Sequence, residues 1–278
     1  MLFAGPAGIG KSTLALVIAK ELFGDKLDQC FLELNSSDDR GIDVVRGVIK
    51  DFARTKPIGD VPYKIIFLDE CDSLTKDAQN ALRRTMENFT SNVRFILSCN
   101  YSSKIIDPIQ SRCIVFRFKP LKKEDIKNVV EKIAQEEELK IDAAAVEAVY
   151  DVSNGDMRRV INILQSCAAV SKKIDEKTIY DLVSAARPQE VKEIIELSVK
   201  GDFIKARDKL LDTMLKYGFS GLDAINQIQK EIIKMEINEE IRAKMVGLCG
   251  EVEFRMVEGS DEYLQLEALL ASFSLLKK

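Results

Sequence analysis

The segment that most constrains the fold of this chain is a glycine-rich octapeptide close to its start, Gly-Pro-Ala-Gly-Ile-Gly-Lys-Ser at residues 5–12. It follows the apolar run 1–4, which is typical of a short strand, and precedes a helical pattern over 11–23. Glycines in such a turn let backbone N–H groups point inward around phosphate oxygens, and the dipole of the following helix adds to the attraction. The candidate phosphate-binding residues are Gly5, Pro6, Ala7, Gly8, Ile9, Gly10, Lys11, Ser12 and Thr13.

A second motif supplies carboxylates. The apolar run 65–68 ends at Asp69 and Glu70. Lys11 is expected to reach the β- and γ-phosphates of ATP, and the Ser12 hydroxyl is expected to ligate Mg²⁺. Asp69 would hold the same ion through water, and Glu70 would orient or deprotonate an attacking water. The alternative interpretation is a chance glycine turn followed by a solvated acidic strand end.

Apolar runs alternate with helical patterns as far as Pro120. The runs lie at 30–34, 64–68, 93–98 and 113–118, and the helical patterns lie near 11–23, 41–54 and 75–88. Such alternation predicts an α/β fold in which helices cover a parallel sheet, and continuous apolar runs are typical of strands that are buried on both faces.

After Pro120 we expect helices and no further strands. Helices are predicted near 123–138, 142–152, 156–170 and 175–184, and the helical pattern after Pro188 is broken at Gly201, Gly218 to Gly221, Asn238 and Gly259. We therefore expect three domains, at 1–119, 120–186 and 187–278.

The composition excludes several kinds of chemistry. The chain has no histidine, which removes Ser-His-Asp and Cys-His catalysis and His-ligated zinc. None of the six cysteines forms a Cys-x-x-Cys pair, so we expect reduced thiols. No apolar run approaches the roughly 18 residues of a membrane span, so we expect no membrane partner. Because the first strand begins at once, we expect the natural domain to start upstream of Met1.

Asn100 follows the run 93–98. A polar side chain at the carboxyl end of a strand in such a sheet points toward the ligand crevice, where it could position a water, although Asn is also a common turn residue.

These motifs resemble those of the AAA+ clamp loaders, in particular the archaeal and eukaryotic replication factor C small subunits. The resemblance covers nearly the whole chain, and the stretches 36–43 and 81–87 are similar to that family too. Its most specific element is the tripeptide Ser111-Arg112-Cys113. The other motifs that carry it are the glycine-rich loop, Asp69-Glu70-Cys71-Asp72, Asn100 and Gly155-Asp156-Met157-Arg158-Arg159.

The resemblance implies an architecture and a set of residue roles. The architecture is a P-loop AAA+ sheet covered by helices, a helical lid and an all-helical collar that ties subunits together. Asn100 resembles sensor 1, and Arg112 resembles the arginine finger that is offered to the ATP of a neighbouring subunit. Arg158 resembles sensor 2, which reads the γ-phosphate in its own subunit. The candidates for contact with DNA phosphates are Arg40, Arg46, Arg83 and Arg84.

The function implied by the resemblance is that of an ATPase subunit of a sliding-clamp loader, with ATP and Mg²⁺ as cofactors. Its partners would be the large subunit, other small subunits, the sliding clamp PCNA and primer–template DNA. The location would be intracellular, in the nucleus of a eukaryote or the cytoplasm of an archaeon.

The sequence departs from the family at two places. Ala7 and Ile9 replace the usual Pro and Thr of the loop, without removing a phosphate-facing N–H. The segment that packs on the adenine, which precedes the first strand in the family, is expected to be missing. Two alternatives remain open. One is another AAA+ machine, such as a replication initiator or a branch-migration motor, and the other is a structural clamp-loader subunit that does not hydrolyse ATP.

Overall fold

The computed structural model describes residues 1–38, 40–57, 61–183 and 186–276. Asp39, which belongs to the stretch 36–43, and residue 184, the predicted end of a helix, lie outside the described residues. The chain divides into two compact units. The first consists of Met1–Val130 and Ser153–Asn162, and the second consists of Glu131–Val152 and Ile163–Lys278.

The first unit contains a five-stranded parallel sheet, which confirms the predicted α/β fold. Its strands are β1 (Leu2–Ala4), β2 (Phe31–Asn35), β3 (Lys64–Asp69), β4 (Val93–Cys99) and β5 (Val115–Arg117). They pair in the order β2-β3-β4-β1-β5. Because β3, β4 and β1 are neighbours and run in the same direction, the residues that follow their carboxyl ends lie side by side.

The helices of the first 136 residues are α1 (Lys11–Phe23), α2 (Leu27–Cys30), α3 (Ile42–Val44), α4 (Lys50–Arg54), α5 (Lys76–Asn88), α6 (Asp107–Gln110) and α7 (Lys123–Glu136). The helix predicted over 41–54 is interrupted by a π-helical turn, Val45–Ile49, between α3 and α4. Gly47 lies inside that turn, where the low helix propensity of glycine weakens the regular α-helical pattern.

The first unit has an apolar core on each face of its sheet, because successive side chains of a strand point to opposite sides. On one face Ile65 and Phe67 pack with Ala15 of α1. On the other face Ile66 packs in a cluster with Leu82 of α5. The small alanine lets α1 lie close to the sheet, and this packing holds the preceding glycine-rich loop at the carboxyl edge of the strands.

The remaining helices are α8 (Ala143–Ser153), α9 (Met157–Val170), α10 (Glu176–Val183), α11 (Pro188–Val199), α12 (Phe203–Tyr217), α13 (Gly221–Lys234), α14 (Glu239–Val257) and α15 (Glu262–Leu275). The breaks predicted at Gly201, Asn238 and Gly259 each fall between two of these helices, and the break predicted from Gly218 to Gly221 extends to the first residue of α13. The helices α11 to α15 share one apolar core. Within the described part of the chain, no helix is long and apolar enough to cross a membrane.

The expectation that strands end at Pro120 is wrong. The two short strands β6 (Lys140–Ile141) and β7 (Lys173–Ile174) pair in parallel. The Lys140 N–H also donates to the carbonyl of Lys172 at 2.8 Å. A two-residue strand is too short to show an alternating pattern in the sequence, and this pairing forms only because folding brings two distant segments together.

Candidate nucleotide-binding site

The first unit contains a cleft of about 310 Å³ at the carboxyl edge of its sheet. Its walls are the glycine-rich loop with the start of α1, the ends of β3 and β4, and the first turns of α9. The lining residues are Ala7, Gly8, Gly10, Lys11, Ser12, Thr13, Asp69, Glu70, Asn100, Met157, Arg158, Ile161 and Asn162. The structure therefore brings residues from four separate motifs of the sequence to one place.

The glycine-rich loop curls around this cleft. Gly10, the last residue before α1, has a φ of +89°, a left-handed conformation that favours glycine. Gly5, Pro6 and Ile9, three of the predicted residues, do not line the cleft. The Gly5 N–H donates to the carbonyl of Cys99 at 3.2 Å, and Ile9 is buried. These contacts support the loop from behind.

Lys11 is buried although it carries a charge, with 7% of its surface exposed. Its ammonium donates to the carbonyls of Gly5 and Pro6 at 2.8 and 2.6 Å, and to Oδ1 of Asn100 at 3.2 Å. Burial lowers the pKa of Lys11, and the carboxylate of Asp69 partly opposes that shift. A cation held at the base of such a loop is suited to bind phosphate oxygens.

Ser12 and Asp69 form an oxygen pair that fits Mg²⁺. The Ser12 hydroxyl donates to Oδ2 of Asp69 at 2.5 Å, and Oδ1 of Asp69 accepts the Glu70 N–H at 2.9 Å. Mg²⁺ takes oxygen ligands, and proteins usually hold it through one or two carboxylates together with substrate phosphates. Among the described residues, no group of three or more Asp, Glu or Cys side chains could hold a metal ion. The residues present therefore fit an Mg²⁺ ion that is bound jointly with phosphates.

Glu70 has an unusual backbone conformation. Its φ is +50°, in the left-handed region that side-chain-bearing residues rarely adopt. Its side chain is exposed and lines the cleft. Strain of this kind is concentrated at functional sites, and Glu70 lines the cleft together with Asp69. An exposed carboxylate in this place can accept a hydrogen bond from a water above the loop.

Asp72 is a site residue to which the sequence motifs assign no role. Its carboxylate accepts the backbone N–H of Asn100 at 3.4 Å and that of Tyr101 at 3.2 Å. These bonds fix the turn after β4, and they leave the Asn100 side chain directed at Lys11. The only sequence signal for this role is the position of Asp72 in the acidic box, three residues after Asp69.

Arg158 lies in the first turn of α9 and lines the cleft. Its backbone N–H donates to Oδ1 of Asp156 at 2.9 Å, as does that of Arg159 at 3.2 Å, so Asp156 caps α9. The Met157 N–H donates to the carbonyl of Gly8 at 2.8 Å. The motif at 155–159 contains Asp156 and Met157, but the sequence assigned a role only to Arg158.

Arg112 lies outside the cleft, in the turn before β5. The neighbouring Ile114 accepts the Leu2 N–H at 2.9 Å, so Arg112 lies where β1 begins, whereas the glycine-rich loop follows the other end of β1. Its guanidinium contacts Oε1 of Glu87 at 2.5 Å and donates to the carbonyl of Pro108 at 2.7 Å. Sequence motifs predicted no role for Glu87.

The four arginines suggested for DNA also lie outside the cleft. Arg40, Arg46 and Arg84 are exposed, and the helical segment that contains Arg46 packs against α5, which carries Arg83 and Arg84. Arg83 is only partly exposed and its Nε lies 3.9 Å from Oε1 of Glu87. Arg84 forms no ion pair with any residue that the structure describes.

Three family models match the chain. The AAA model (ATPase family associated with various cellular activities) matches residues 1–121. The model of an RFC1-like AAA+ ATPase lid domain matches residues 123–181, and the replication factor C C-terminal domain matches residues 186–272. The AAA match supports nucleotide binding and ATPase activity in general.

Solved structures of lower sequence identity share the fold. The Thermotoga maritima RuvB Holliday junction branch migration motor is 18% identical, has a TM-score of 0.53, and overlaps 72% of this chain and 67% of its own. A variant of the same RuvB is 18% identical, with a TM-score of 0.55 over 85% of this chain and 87% of its own. This likeness supports an AAA+ fold alone.

Relatives of much higher identity are replication factor C small subunits. That of Methanococcus vannielii is 53% identical over 277 residues, which cover all of this chain and 88% of the relative. That of Pyrococcus furiosus is 53% identical over 273 residues, or 98% of this chain and 32% of the relative. The resemblance predicted from the motifs is confirmed at this level of identity and coverage, and the chain belongs to the replication factor C small subunit family.

Proposed function

We propose that this chain is an ATP-hydrolysing subunit of a sliding-clamp loader, which uses ATP binding and hydrolysis to open the clamp and to load it on primer–template DNA. The observation that carries the proposal is the meeting of Lys11, Ser12, Asp69, Glu70, Asn100 and Arg158 around one cleft. The identity to named replication factor C small subunits supports the same conclusion.

Six residues of the cleft have a proposed role. Bound MgATP supplies the phosphoryl group and a metal that neutralises charge on its oxygens. The Lys11 ammonium would contact the β- and γ-phosphates, the Ser12 hydroxyl would ligate the metal, and Asp69 would hold the metal through water. Glu70 accepts a proton from, or orients, the attacking water. Asn100 positions that water, and Arg158 contacts the γ-phosphate from the side of α9.

The partners follow from the same proposal. The chain would assemble with a large subunit and other small subunits, engage the sliding clamp PCNA, and contact primer–template DNA through Arg40, Arg46, Arg83 or Arg84. Arg112 would act on the ATP of a neighbouring subunit. We keep 1–119, 120–186 and 187–278 as the proposed domains. The archaeal relatives favour the cytoplasm of an archaeon as the location.

The two alternative functions have less support. A branch-migration motor is favoured only by the likeness to RuvB, and that likeness concerns the fold alone. A subunit that does not hydrolyse ATP would not need the complete set of phosphate, metal and water ligands that Lys11, Asp69 and Glu70 supply.

Replacement of Lys11 tests the proposed site. Lys11→Ala removes the cation that faces the phosphates, so isothermal titration calorimetry should detect no binding of MgATP. The matched control is Lys20→Ala, which removes an exposed lysine from the same helix α1 and should bind MgATP like the parent. Equal affinity of Lys11→Ala and the parent would contradict the assignment of the site.

The clamp-loading role is tested separately in the assembled complex. The rate of ATP hydrolysis is measured with and without clamp and primed DNA, and we expect both to stimulate it. A rate that neither partner changes would argue against a clamp loader while leaving the ATP site intact.

A further inference from the structure

The start of helix α9 is joined to the glycine-rich loop by backbone contacts. The carbonyl of Gly8 accepts the Met157 N–H at 2.8 Å. Gly8 has a φ of +69°, and any Cβ at this position would overlap the carboxylate of Asp156. The loop therefore rests directly on Asp156, the cap of α9, and on Met157, its first residue, and only glycine fits at the contact.

Every backbone N–H group in the first turn of α9 donates a hydrogen bond within the protein. The Met157 N–H goes to Gly8, and the N–H groups of Arg158 and Arg159 go to Oδ1 of Asp156. The Val160 N–H already donates to the Asp156 carbonyl at 3.0 Å. The N-terminus of α9 is consequently no phosphate cradle, because its donors are all satisfied within the protein. These N–H groups instead donate to the Gly8 carbonyl of the loop and to Asp156.

Both walls of the cleft depend on this contact. Gly8 and its neighbours up to Thr13 form one wall, and Met157, Arg158 and Ile161 of α9 form part of the other. Lys11 belongs to the first group and Arg158 to the second. Loss of the cap would free the first turn of α9, and the Gly8 carbonyl would then lose a fixed partner.

We propose that Asp156 is a positioning residue that locks the glycine-rich loop to the first turn of α9 and thereby sets the width of the nucleotide cleft. The proposal rests on the proposed ATP-binding function, and it adds a residue that would not touch ATP itself. Asp156 would act through Gly8 and Arg158. Its side chain matters as a hydrogen-bond acceptor at the cap, and its charge is not required.

Two substitutions separate these properties. Asp156→Ala removes the acceptor, whereas Asp156→Asn keeps an acceptor of the same shape, since Asn is as good an N-cap as Asp. The matched control is Asp261→Ala. Asp261 caps α15 in the same way, with its Oδ1 accepting the Leu264 N–H at 2.8 Å, and it does not line the cleft.

The first measurement needs no nucleotide. Hydrogen exchange is followed by NMR at the amides of Met157, Arg158 and Arg159. Asp156→Ala should speed exchange at all three amides by about fivefold, the factor that corresponds to a typical cap loss of about 1 kcal/mol. Asp156→Asn and Asp261→Ala should leave all three like the parent. Unchanged exchange at Met157, whose N–H donates to the Gly8 carbonyl, would overturn the proposal, because a cap that served α9 alone would affect only Arg158 and Arg159.

The second measurement is the affinity for MgATP by calorimetry. Asp156→Ala should bind at least about fivefold more weakly, and Asp156→Asn should bind within about twofold of the parent. An Asn variant that binds as weakly as the Ala variant would overturn the proposal, since the charge would then be the important property. A parent that binds no ATP would refute the proposed function, and the exchange experiment would still decide whether the loop is locked to α9.

Discussion

Replacing Arg112 with alanine should separate an ATPase that works between subunits from one that works within a single chain. The guanidinium of Arg112 lies in the turn before β5, away from the cleft of its own subunit, where it contacts Glu87 and the carbonyl of Pro108. An arginine finger stabilises the charge that develops on the transferring phosphoryl group of a neighbour. We therefore expect Arg112→Ala to leave ATP binding by the same subunit nearly intact and to reduce hydrolysis steeply.

The magnitudes distinguish a catalytic effect from a structural one. The side chains of Arg112 and Glu87 are 41% and 38% exposed, so solvent screens their ion pair. Such a pair contributes about 0.2–1 kcal/mol to stability. Loss of an arginine finger lowers the rate by about 10³–10⁵, which corresponds to about 4–7 kcal/mol of activation free energy. The loss of the ion pair is therefore too small to account for the expected loss of activity.

Glu87→Gln is the matched control, because it removes the same ion pair and retains Arg112. The assay is steady-state ATP hydrolysis by the assembled complex with clamp and primed DNA. Glu87→Gln should stay within about fivefold of the parent, since the interaction it weakens is worth about 1 kcal/mol or less. A loss of hydrolysis in Glu87→Gln as large as that in Arg112→Ala would refute the reasoning. It would also be refuted if Arg112→Ala reduced hydrolysis by the isolated monomer as much as hydrolysis by the complex.

Mixed assemblies sharpen this test. When Arg112→Ala subunits are combined with Lys11→Ala subunits, activity should appear only at junctions where an intact Arg112 faces an intact Lys11. If activity instead followed the number of intact Lys11 residues, with or without Arg112 in the neighbouring subunit, Arg112 would act within its own subunit.

Three further predictions concern the water-activating residue, the DNA surface and alkaline stability. Glu70→Gln should bind MgATP like the parent and hydrolyse it far more slowly, because the glutamine side chain keeps the shape of Glu70 and lacks its basic carboxylate. Normal turnover would exclude Glu70 as the base. Arg84→Ala should reduce the slope of log affinity for DNA against log salt by about 0.9. Arg83→Ala should reduce this slope by less, because Arg83 lies beside Glu87. An unchanged slope in both variants would remove α5 from the DNA surface. Burial raises the pKa of Cys249 from 9.0 to about 12, so the folded state binds the thiol proton more tightly than the unfolded state does. The stability that results is present below pH 9 and is lost as the pH rises toward 12. In urea titrations Cys249→Ala should show a smaller decline over this window than the parent, and equal declines would contradict the assignment.

The local patterns of the sequence predicted the parts of this protein that depend on neighbouring residues. The glycine-rich loop, the helix over 11–23, the acidic strand end at Asp69 and Glu70, and Asn100 after β4 are all encoded within short segments. A turn, a helix or a strand is determined largely by residues a few positions apart. Because parallel strands align their carboxyl ends, the alternation of strands and helices was enough to predict that these motifs meet at one edge of the sheet.

Only the tertiary structure decided which side chains hold that edge in place. Asp72 fixes Asn100 from 28 positions earlier in the chain, and Asp156 lies against Gly8 at the other end of the first unit's sequence. The ion pair of Glu87 with Arg112, and the pairing of β6 with β7, likewise join segments that no local pattern connects. The physical reason is that such hydrogen bonds depend on distance and direction in the folded chain. Each partner by itself is an ordinary polar residue, and its role exists only once the surrounding packing has brought the second partner within about 3 Å.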